Sequence, residues 1–189
     1  MRNVTFALLV LFSLSGCTYL NHKLRDEPIQ PDPYDTSLGS DIDDFNTEVA
    51  IGVNIKKAHP LLETSHVNVN SLNGVILLTG EVPSQEMRTL AGDTARNFRG
   101  VRQVHNELQI QGVTSFLSRT NDGWLSTKVR SKLLADETIE SGKIKVVTEN
   151  SVVYLMGLVT PELADRAARV ASTTKGIRKV VKVFEYPEP

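Results

Sequence analysis

The sequence predicts an α+β protein made of two tandem copies of one module, each with a small mixed three-stranded sheet packed on two helices. The segment Val75–Val82 recurs 77 residues later at 152–159, and Asn73 recurs as Asn150 at the same spacing. Each copy also follows the same order of helix, strand, strand, helix and strand. A repeat this long indicates two domains in series, because the repeats of solenoid proteins are shorter.

The predicted elements of the first copy are a helix over 44–58, strands over 67–71 and 75–82, a helix that begins after Ser84, and a strand over 101–110. Asn73-Gly74 is typical of a two-residue hairpin turn, because both residues adopt positive φ readily. Ser84 is a typical N-cap, and Gly100 ends this helix. The strand–helix–strand connection predicts a crossover, so that the third strand runs parallel to the second.

The predicted elements of the second copy are a helix over 122–135, strands over 144–148 and 152–159, a helix that begins after Thr160, and a strand over 177–184. Thr160 followed by Pro161 is typical of a helix start, because proline suits the first helical position. Gly80 and Gly157 occupy equivalent places in the second strand of each copy. Glycine inside a strand marks a bulge or a close backbone approach, so we predict a structural role for both.

The helix predicted over 122–135, with Asn121 or Asp122 as its N-cap, has apolar residues on two opposite faces. One face is an ordinary core stripe, formed by Leu125, Val129 and Leu133. The opposite face consists of Trp124, Thr127, Ser131, Leu134 and Ala135, with Lys128 on one flank and Arg130 on the other. Trp and Leu beside cationic side chains favour the boundary between lipid headgroups and acyl chains. The helix alone leaves open a second interpretation, a buried face against another domain or protein.

The amino terminus predicts a lipoprotein signal peptide over 1–16. Arg2 precedes a short apolar run at 6–12, which is not long enough to span a bilayer. The sequence Leu14-Ser15-Gly16-Cys17 then resembles the bacterial lipobox, in which the cysteine is acylated and becomes the first residue after cleavage. Cys17 is the only cysteine of the chain, which suits a thiol used for anchoring.

Residues 17–43 predict a flexible acidic tether behind the lipidated cysteine, because they contain three prolines, six acidic side chains and no apolar period. In lipoproteins of this class, a residue such as Thr18 after the cysteine, rather than aspartate, favours the outer membrane. Charge is uneven along the chain: residues 119–189 hold 12 basic and 9 acidic side chains, although the whole chain is close to neutral. The carboxy-terminal part therefore suits an anionic partner.

The motifs of catalysis are not found in this sequence. Its four histidines are scattered and do not fall at metal-ligand spacings, and the sequence has neither a G-x-S-x-G elbow nor a phosphate-binding loop. His59 and His105 are expected to be solvated or capping residues. Basic residues do not alternate with stacking aromatics, as nucleic-acid binding requires. We therefore predict a protein without enzymatic activity, cofactor, metal site or nucleic-acid partner.

The repeated pattern of helix, Asn-Gly hairpin, V-x-L-x-G-x-V strand, alanine-rich helix and Gly-Val strand resembles the BON domain. Two such modules, over 44–113 and 119–187, behind a lipobox are similar to the dual-BON outer-membrane lipoproteins of the DolP type. The resemblance implies a periplasm-facing, non-catalytic lipoprotein that supports envelope integrity. It also implies that the first helix of the second module binds anionic phospholipid, through Trp124, Leu125, Thr127, Lys128, Arg130, Ser131 and Leu134.

An alternative function is that of an adaptor that binds an envelope protein. Its basis is the first predicted helix, where Phe45, Val49 and Val53 line the face opposite Ile51 and Ile55. This face has no basic rim, so it does not suit an anionic membrane. We expect it to be shielded by the other module or by a protein partner.

Overall fold

The computed structural model describes residues 40–111 and 116–187, with side chains over 43–111 and 121–187. The first module contains helices α1 (Ser40–Ala58), α2 (Pro60–Glu63) and α3 (Gln85–Arg96), and strands β1 (His66–Leu72), β2 (Val75–Val82), β3 (Gln103–Asn106) and β4 (Gln109–Ile110). The second module contains α4 (Phe116–Ala135), a 3-10 turn (Ser141–Lys143), β5 (Lys145–Glu149), β6 (Val152–Leu158), α5 (Pro161–Ser172) and β7 (Lys179–Glu185). The predicted signal peptide, Cys17 and the predicted tether up to residue 39 lie outside the described residues.

The first sheet has β2 at its centre. β1 pairs with β2 antiparallel, and β3 and β4 pair with it in parallel. The strand predicted over 101–110 is therefore present as two short strands that follow the same partner. Helices α1 and α3 cover one face of the sheet, where Ile51, Ile55 and Met87 are buried. The predicted mixed sheet on two helices is confirmed.

The second sheet has the same design, in the order β5-β6-β7, with an antiparallel and then a parallel pair. Its core includes Val129 and Leu133 of α4 and Ala167 of α5. The helix starts predicted at Ser84 and Thr160 are confirmed, because each hydroxyl accepts a hydrogen bond from the backbone N–H three residues later, at 3.2 Å and 3.3 Å. The two modules are therefore equivalent in topology and in local capping.

The structural role predicted for Gly80 and Gly157 is confirmed. Gly80 has a φ of 113°, and a side chain there would overlap the backbone carbonyl of His66 on the neighbouring strand. A side chain at Gly157 would overlap the carbonyl of Lys143. Glycine is needed at both places because another backbone approaches the strand closely.

The N-cap predicted for α4 is wrong. This helix begins at Phe116, so Asn121 and Asp122 lie inside it. The Asp122 carboxylate instead accepts hydrogen bonds from the backbone N–H groups of Asn150 (2.6 Å) and Ser151 (2.8 Å), in the turn between β5 and β6. Both turn residues have positive φ, at 49° and 61°, so the buried carboxylate holds a strained turn by binding its amides.

The first module holds its turn in the same way. The Asp44 carboxylate accepts a hydrogen bond from the backbone N–H of Asn73, at 3.0 Å. An arginine just before the third strand then binds the carbonyl oxygen of the turn asparagine: Arg102 through Nε and Nη2 at 2.9 and 2.6 Å, and Arg178 at 3.1 and 2.6 Å. We call this acid–turn–arginine unit the turn clasp. It occurs once in each module.

The helix-free faces of the two sheets pack against each other. Their shared apolar cluster contains Val75, Leu77, Tyr154, Met156 and Val183, all buried. The helices therefore lie on the outside, and each sheet is covered on both faces. Burial raises the pKa of Tyr154 to about 12, with the charges of Glu107 and Glu149 adding to the effect.

Polar contacts surround this apolar cluster. The Lys145 ammonium donates to Glu48 at 2.6 Å and to the carbonyl of Ser71 at 2.9 Å. Arg102 donates two hydrogen bonds to the carboxylate of Glu185, at 2.8 and 2.7 Å. Paired guanidinium–carboxylate bonds of this kind define relative orientation as well as adding energy. The two modules are thus joined at several separate points.

Glu149 is a buried carboxylate in the same interface, and it gives a prediction on pH. Burial opposes its charged form, but hydrogen bonds from His66, Asn68 and Thr79 and the charge of His66 outweigh burial, so the pKa of this carboxyl lies below its ordinary value of 4.5. The carboxyl has the higher pKa in the unfolded chain, so the unfolded chain takes up the proton first as the pH falls. The contribution of charged Glu149 to the free energy of unfolding is therefore complete above pH 4.5 and is lost as the pH falls through the lowered pKa.

Glu149→Gln removes that contribution. We expect a lower free energy of unfolding at neutral pH and a weaker dependence on pH in acid, measured by urea denaturation at a series of pH values. Glu137→Gln, at an exposed acid of the same module, is the control. Parallel pH profiles for wild type and Glu149→Gln would contradict this role of Glu149.

The predicted shielding of Phe45, Val49 and Val53 is found only in part. Val53 is fully buried and Val49 is partly buried, but Phe45 is 64% exposed. The prediction fails at Phe45 because the modules meet through their sheets rather than through this end of α1. Phe45 instead borders an open groove of about 700 Å³, together with Leu72, Ile144 and Leu158.

Candidate functional site

Helix α4 lies against its own module through one face only. Leu125, Val129 and Leu133 are fully buried there, as the core stripe predicts. Leu125 is 1% exposed, so it does not reach the outer face, and the site is described below without it. The Leu125 side chain is part of the core and lies close to Gly176, where an added Cβ would be 3.1 Å from Leu125 Cδ2.

The opposite face of α4 is open. Trp124 is 60% exposed and Leu134 is 75% exposed, and Thr127 and Ser131 lie between them. The Thr127 hydroxyl donates to the carbonyl of Gly123 at 3.1 Å, which leaves its methyl group on the surface. We call Trp124, Thr127, Lys128, Ser131 and Leu134 the outer face of α4. Large apolar side chains exposed along one helix face are unusual on a free surface and typical of a contact site.

Lys128 gives this face its positive charge. Its ammonium lies 3.2 Å from the centre of the Trp124 ring, one helical turn away. A cation over the indole face is attracted by the ring quadrupole, so the charge and the aromatic surface are presented together. An anionic group that approaches Lys128 therefore meets the indole as well.

Two further cations beside this face bind backbone carbonyls. Arg130 donates to the carbonyl of Val146, in strand β5, at 2.8 Å. Lys132, which the sequence analysis did not single out, donates to the carbonyl and the hydroxyl of Thr173 at 2.9 Å each, at the carboxyl end of α5. A cation at this end is favoured by the helix dipole. The hydrogen bond to Val146 fixes the Arg130 guanidinium at the flank of the outer face, so its charge remains close to that face.

His59 has a structural role. The His59 ring accepts a hydrogen bond from the backbone N–H of Leu61 at 3.1 Å, so it is the N-cap of α2, as expected for a capping residue. Across residues 43–111 and 121–187, the structure has no group of three or more His, Cys, Asp or Glu side chains arranged to hold a metal ion. None of the helices over 40–111 and 116–187 is both long enough and apolar enough to cross a membrane.

The family model of the BON domain matches this chain twice, over residues 43–112 and 121–188. The chain belongs to the BON-domain family. Both matches coincide with a module that has its own helix-covered sheet and turn clasp. The duplicated architecture is thus that of two BON domains joined through their sheets.

Three characterised relatives match most of the chain. It is 37% identical to the outer membrane lipoprotein DolP of Haemophilus influenzae over 84% of this chain and 81% of that protein. It is 34% identical to a 21 kDa hemolysin of Actinobacillus pleuropneumoniae, over 89% and 88% of the two chains. The osmotically-inducible protein Y of Escherichia coli is 28% identical, over 77% and 75%.

These relatives establish a dual BON-domain protein of the DolP family, associated with the cell envelope. The predicted location at the outer membrane, facing the periplasm, is confirmed by the same relatives. BON domains and these relatives belong to non-enzymatic families.

Proposed function

We propose that this protein binds anionic phospholipid through the outer face of α4 in its second BON domain, and thereby supports the integrity of the envelope. The observation that carries the proposal is the exposure of Trp124 and Leu134 on one helix face, with the Lys128 ammonium over the indole ring. This combination suits a membrane interface, where apolar surface enters the acyl boundary and cations meet phosphate groups. The function is that of a binding module and not of an enzyme.

The energies expected for such a contact are modest. Burial of one large apolar side chain contributes about 1.5–3 kcal/mol, and each cation near an anionic surface contributes about 1 kcal/mol. Trp124, Leu134 and Lys128 together thus give a weak and reversible contact that depends on lipid composition. Arg130 adds its charge at the flank of the face.

An acyl anchor changes the effect of this weak contact. We propose that Cys17 is the lipidated residue and that the segment behind it tethers the modules to the membrane. Tethering makes the contact of α4 intramolecular and raises its effective concentration. A weak headgroup preference is then sufficient to direct the protein to membrane regions rich in anionic lipid.

We expect Cys17→Ser to leave the protein unprocessed or released from the outer membrane, because no other thiol is available for acylation. Membrane fractionation and the apparent mass of the mature protein measure this. Ser15→Thr, which leaves the cysteine in place, is the control. Correct processing and full retention of Cys17→Ser in outer-membrane fractions would overturn the anchor assignment.

The lipid contact is tested with the unacylated chain and vesicles. Trp124 is the only Trp, so its fluorescence has one source. Emission should shift to the blue on addition of vesicles that contain phosphatidylglycerol and remain constant with phosphatidylcholine vesicles. If the protein sediments with anionic vesicles and its emission stays constant, α4 is not the docking surface.

A second candidate function, an adaptor for an envelope protein, is favoured by the groove beside Phe45. Phe45 is among the most exposed large apolar side chains of the described residues, and Leu158 on the far side of the groove is half exposed. Phe45→Ala distinguishes the two functions. Under the lipid proposal it leaves vesicle binding unchanged, whereas under the adaptor function it weakens cross-linking to envelope proteins in cells.

A further inference from the structure

The two ends of the interface between the sheets are built from equivalent positions of the two modules, but they differ in chemistry. Equivalent positions of the two modules lie 76 or 77 residues apart in the chain. By this spacing, Leu72 is equivalent to Glu149, Leu158 to Glu81, and Val183 to Glu107. The three apolar residues line one end of the interface, and the three carboxylates line the other. The interface between the two modules therefore has an acidic end and an apolar end.

At the apolar end, the contact between the sheets leaves no space for a water molecule, and Arg102 binds Glu185 there. The acidic end contains a cavity of about 280 Å³. There the counterpart of Glu185 is Gln109, so Arg178 has no equivalent carboxylate to bind. Its hydrogen bonds go to the carbonyl of Asn150 within its own turn clasp.

The decisive group in this cavity is Glu81. Its side chain is 1% exposed, and its Oε2 atom has no hydrogen-bond partner. The neighbouring Glu149 is different, because its carboxylate accepts from Asn68 at 2.7 Å and faces His66 at 3.6 Å. A buried carboxylate oxygen without a donor is costly, and a ligand that supplies an N–H group removes that cost.

We propose that this cavity binds a small zwitterion in which a primary ammonium group stands beside an anionic group, as in phosphoethanolamine. The ammonium donates to the carboxylate of Glu81, on the acidic wall shared with Glu107. The anionic group pairs with Arg178 and Lys179, which line the same cavity. A volume of about 280 Å³ suits a molecule smaller than a typical drug-sized ligand.

The site is separate from the outer face of α4, since no residue is shared between them. The source of the zwitterion is either a lipid headgroup or a free metabolite, and both offer the same chemistry to Glu81. Failure of vesicle binding by α4 would therefore leave this proposal intact, and the reverse also holds.

The test is a titration of the full, unacylated chain, followed by amide NMR shifts. O-phosphoethanolamine should give saturable shifts at Gly80, Tyr154 and Arg178. Phosphocholine has the same charges but no N–H group, so it should give small shifts that do not saturate. Glu81→Gln should weaken the binding of O-phosphoethanolamine about tenfold, because a charged hydrogen bond is lost. Glu137→Gln, at an exposed acid, should leave it unchanged.

Bicelles with and without phosphatidylethanolamine then identify the source. Shifts at the cavity with these bicelles indicate a lipid headgroup, and shifts with the soluble compound alone indicate a free molecule. The proposal is overturned if neither source shifts the cavity amides, if phosphocholine binds equally well, or if Glu81→Gln binds like wild type. If Glu81→Gln does not fold, Glu107→Gln provides the same comparison.

Discussion

We expect Trp124→Glu to abolish binding of the unacylated chain to anionic vesicles, with little change in the midpoint of thermal unfolding. Trp124 is largely exposed and lies opposite the core stripe of α4, so its replacement should change the free energy of unfolding by no more than about 0.5 kcal/mol. Its removal from the membrane interface forfeits about 1–3 kcal/mol of transfer free energy. The new carboxylate is in addition repelled by anionic lipid.

Co-sedimentation with phosphatidylglycerol vesicles measures this effect. Phe45→Glu is the matched control, because Phe45 is an equally exposed aromatic on the other module and lies outside the outer face of α4. Lys128→Glu should weaken binding less than Trp124→Glu, and the loss should shrink at high salt because the charge contribution is screened. If Trp124→Glu sediments like wild type, or if it unfolds the second module, the assignment of this face is wrong.

The second large effect is expected at the interface between the sheets. Met156 is fully buried in the apolar cluster shared by the two modules, so Met156→Ala should lower the free energy of unfolding by about 2–5 kcal/mol. Leu134→Ala removes a similar side chain from an exposed position and should be nearly neutral. Urea denaturation followed by circular dichroism measures both.

The same pair of variants tests whether the two BON domains unfold as one unit. A shared core predicts that Met156→Ala lowers the stability of both sheets together, in a single transition. Two separated transitions, with only the second domain destabilised, would contradict a cooperative interface.

The local elements could be predicted from the sequence because their signals lie within a few residues. Asn73-Gly74 predicts its hairpin through the positive φ of both residues, and Ser84 and Thr160 predict helix starts through their hydroxyl groups. The stripe of Leu125, Val129 and Leu133 predicts the buried face of α4 through its helical period. The family pattern added the likeness to known lipoproteins.

The packing of sheet on sheet could not be predicted in the same way, because its contacts join residues far apart in the chain. One signal was present: Val75–Leu78 is a continuous apolar run, which is typical of a strand covered on both faces, and the structure buries every position of Val75–Val82. An apolar run with little alternation in β2 thus indicated a second partner for the sheet. The identity of that partner depends on the tertiary structure.

The role of Asp122 was mistaken for a similar reason. An acid before a run of helical residues resembles an N-cap, but the carboxylate binds the turn between β5 and β6, which lies 28 residues later in the chain. The binding of Lys132 to the end of α5 likewise joins residues 41 apart. A sequence pattern shows which residues are neighbours on one helix. Asp122 and Lys132 instead bind residues of other elements, so a pattern within the helix does not predict their partners.

The turn clasps and the interface imply an order of assembly. Each clasp closes a loop of 28 or 29 residues, whereas the bond between Glu48 and Lys145 closes one of 97. Short loops form first, because closing a longer loop costs more conformational entropy. The first domain is also synthesised before the second, so it can fold earlier. A first domain that folds before the second therefore exposes Val75 and Leu77 to water until the two sheets pack together.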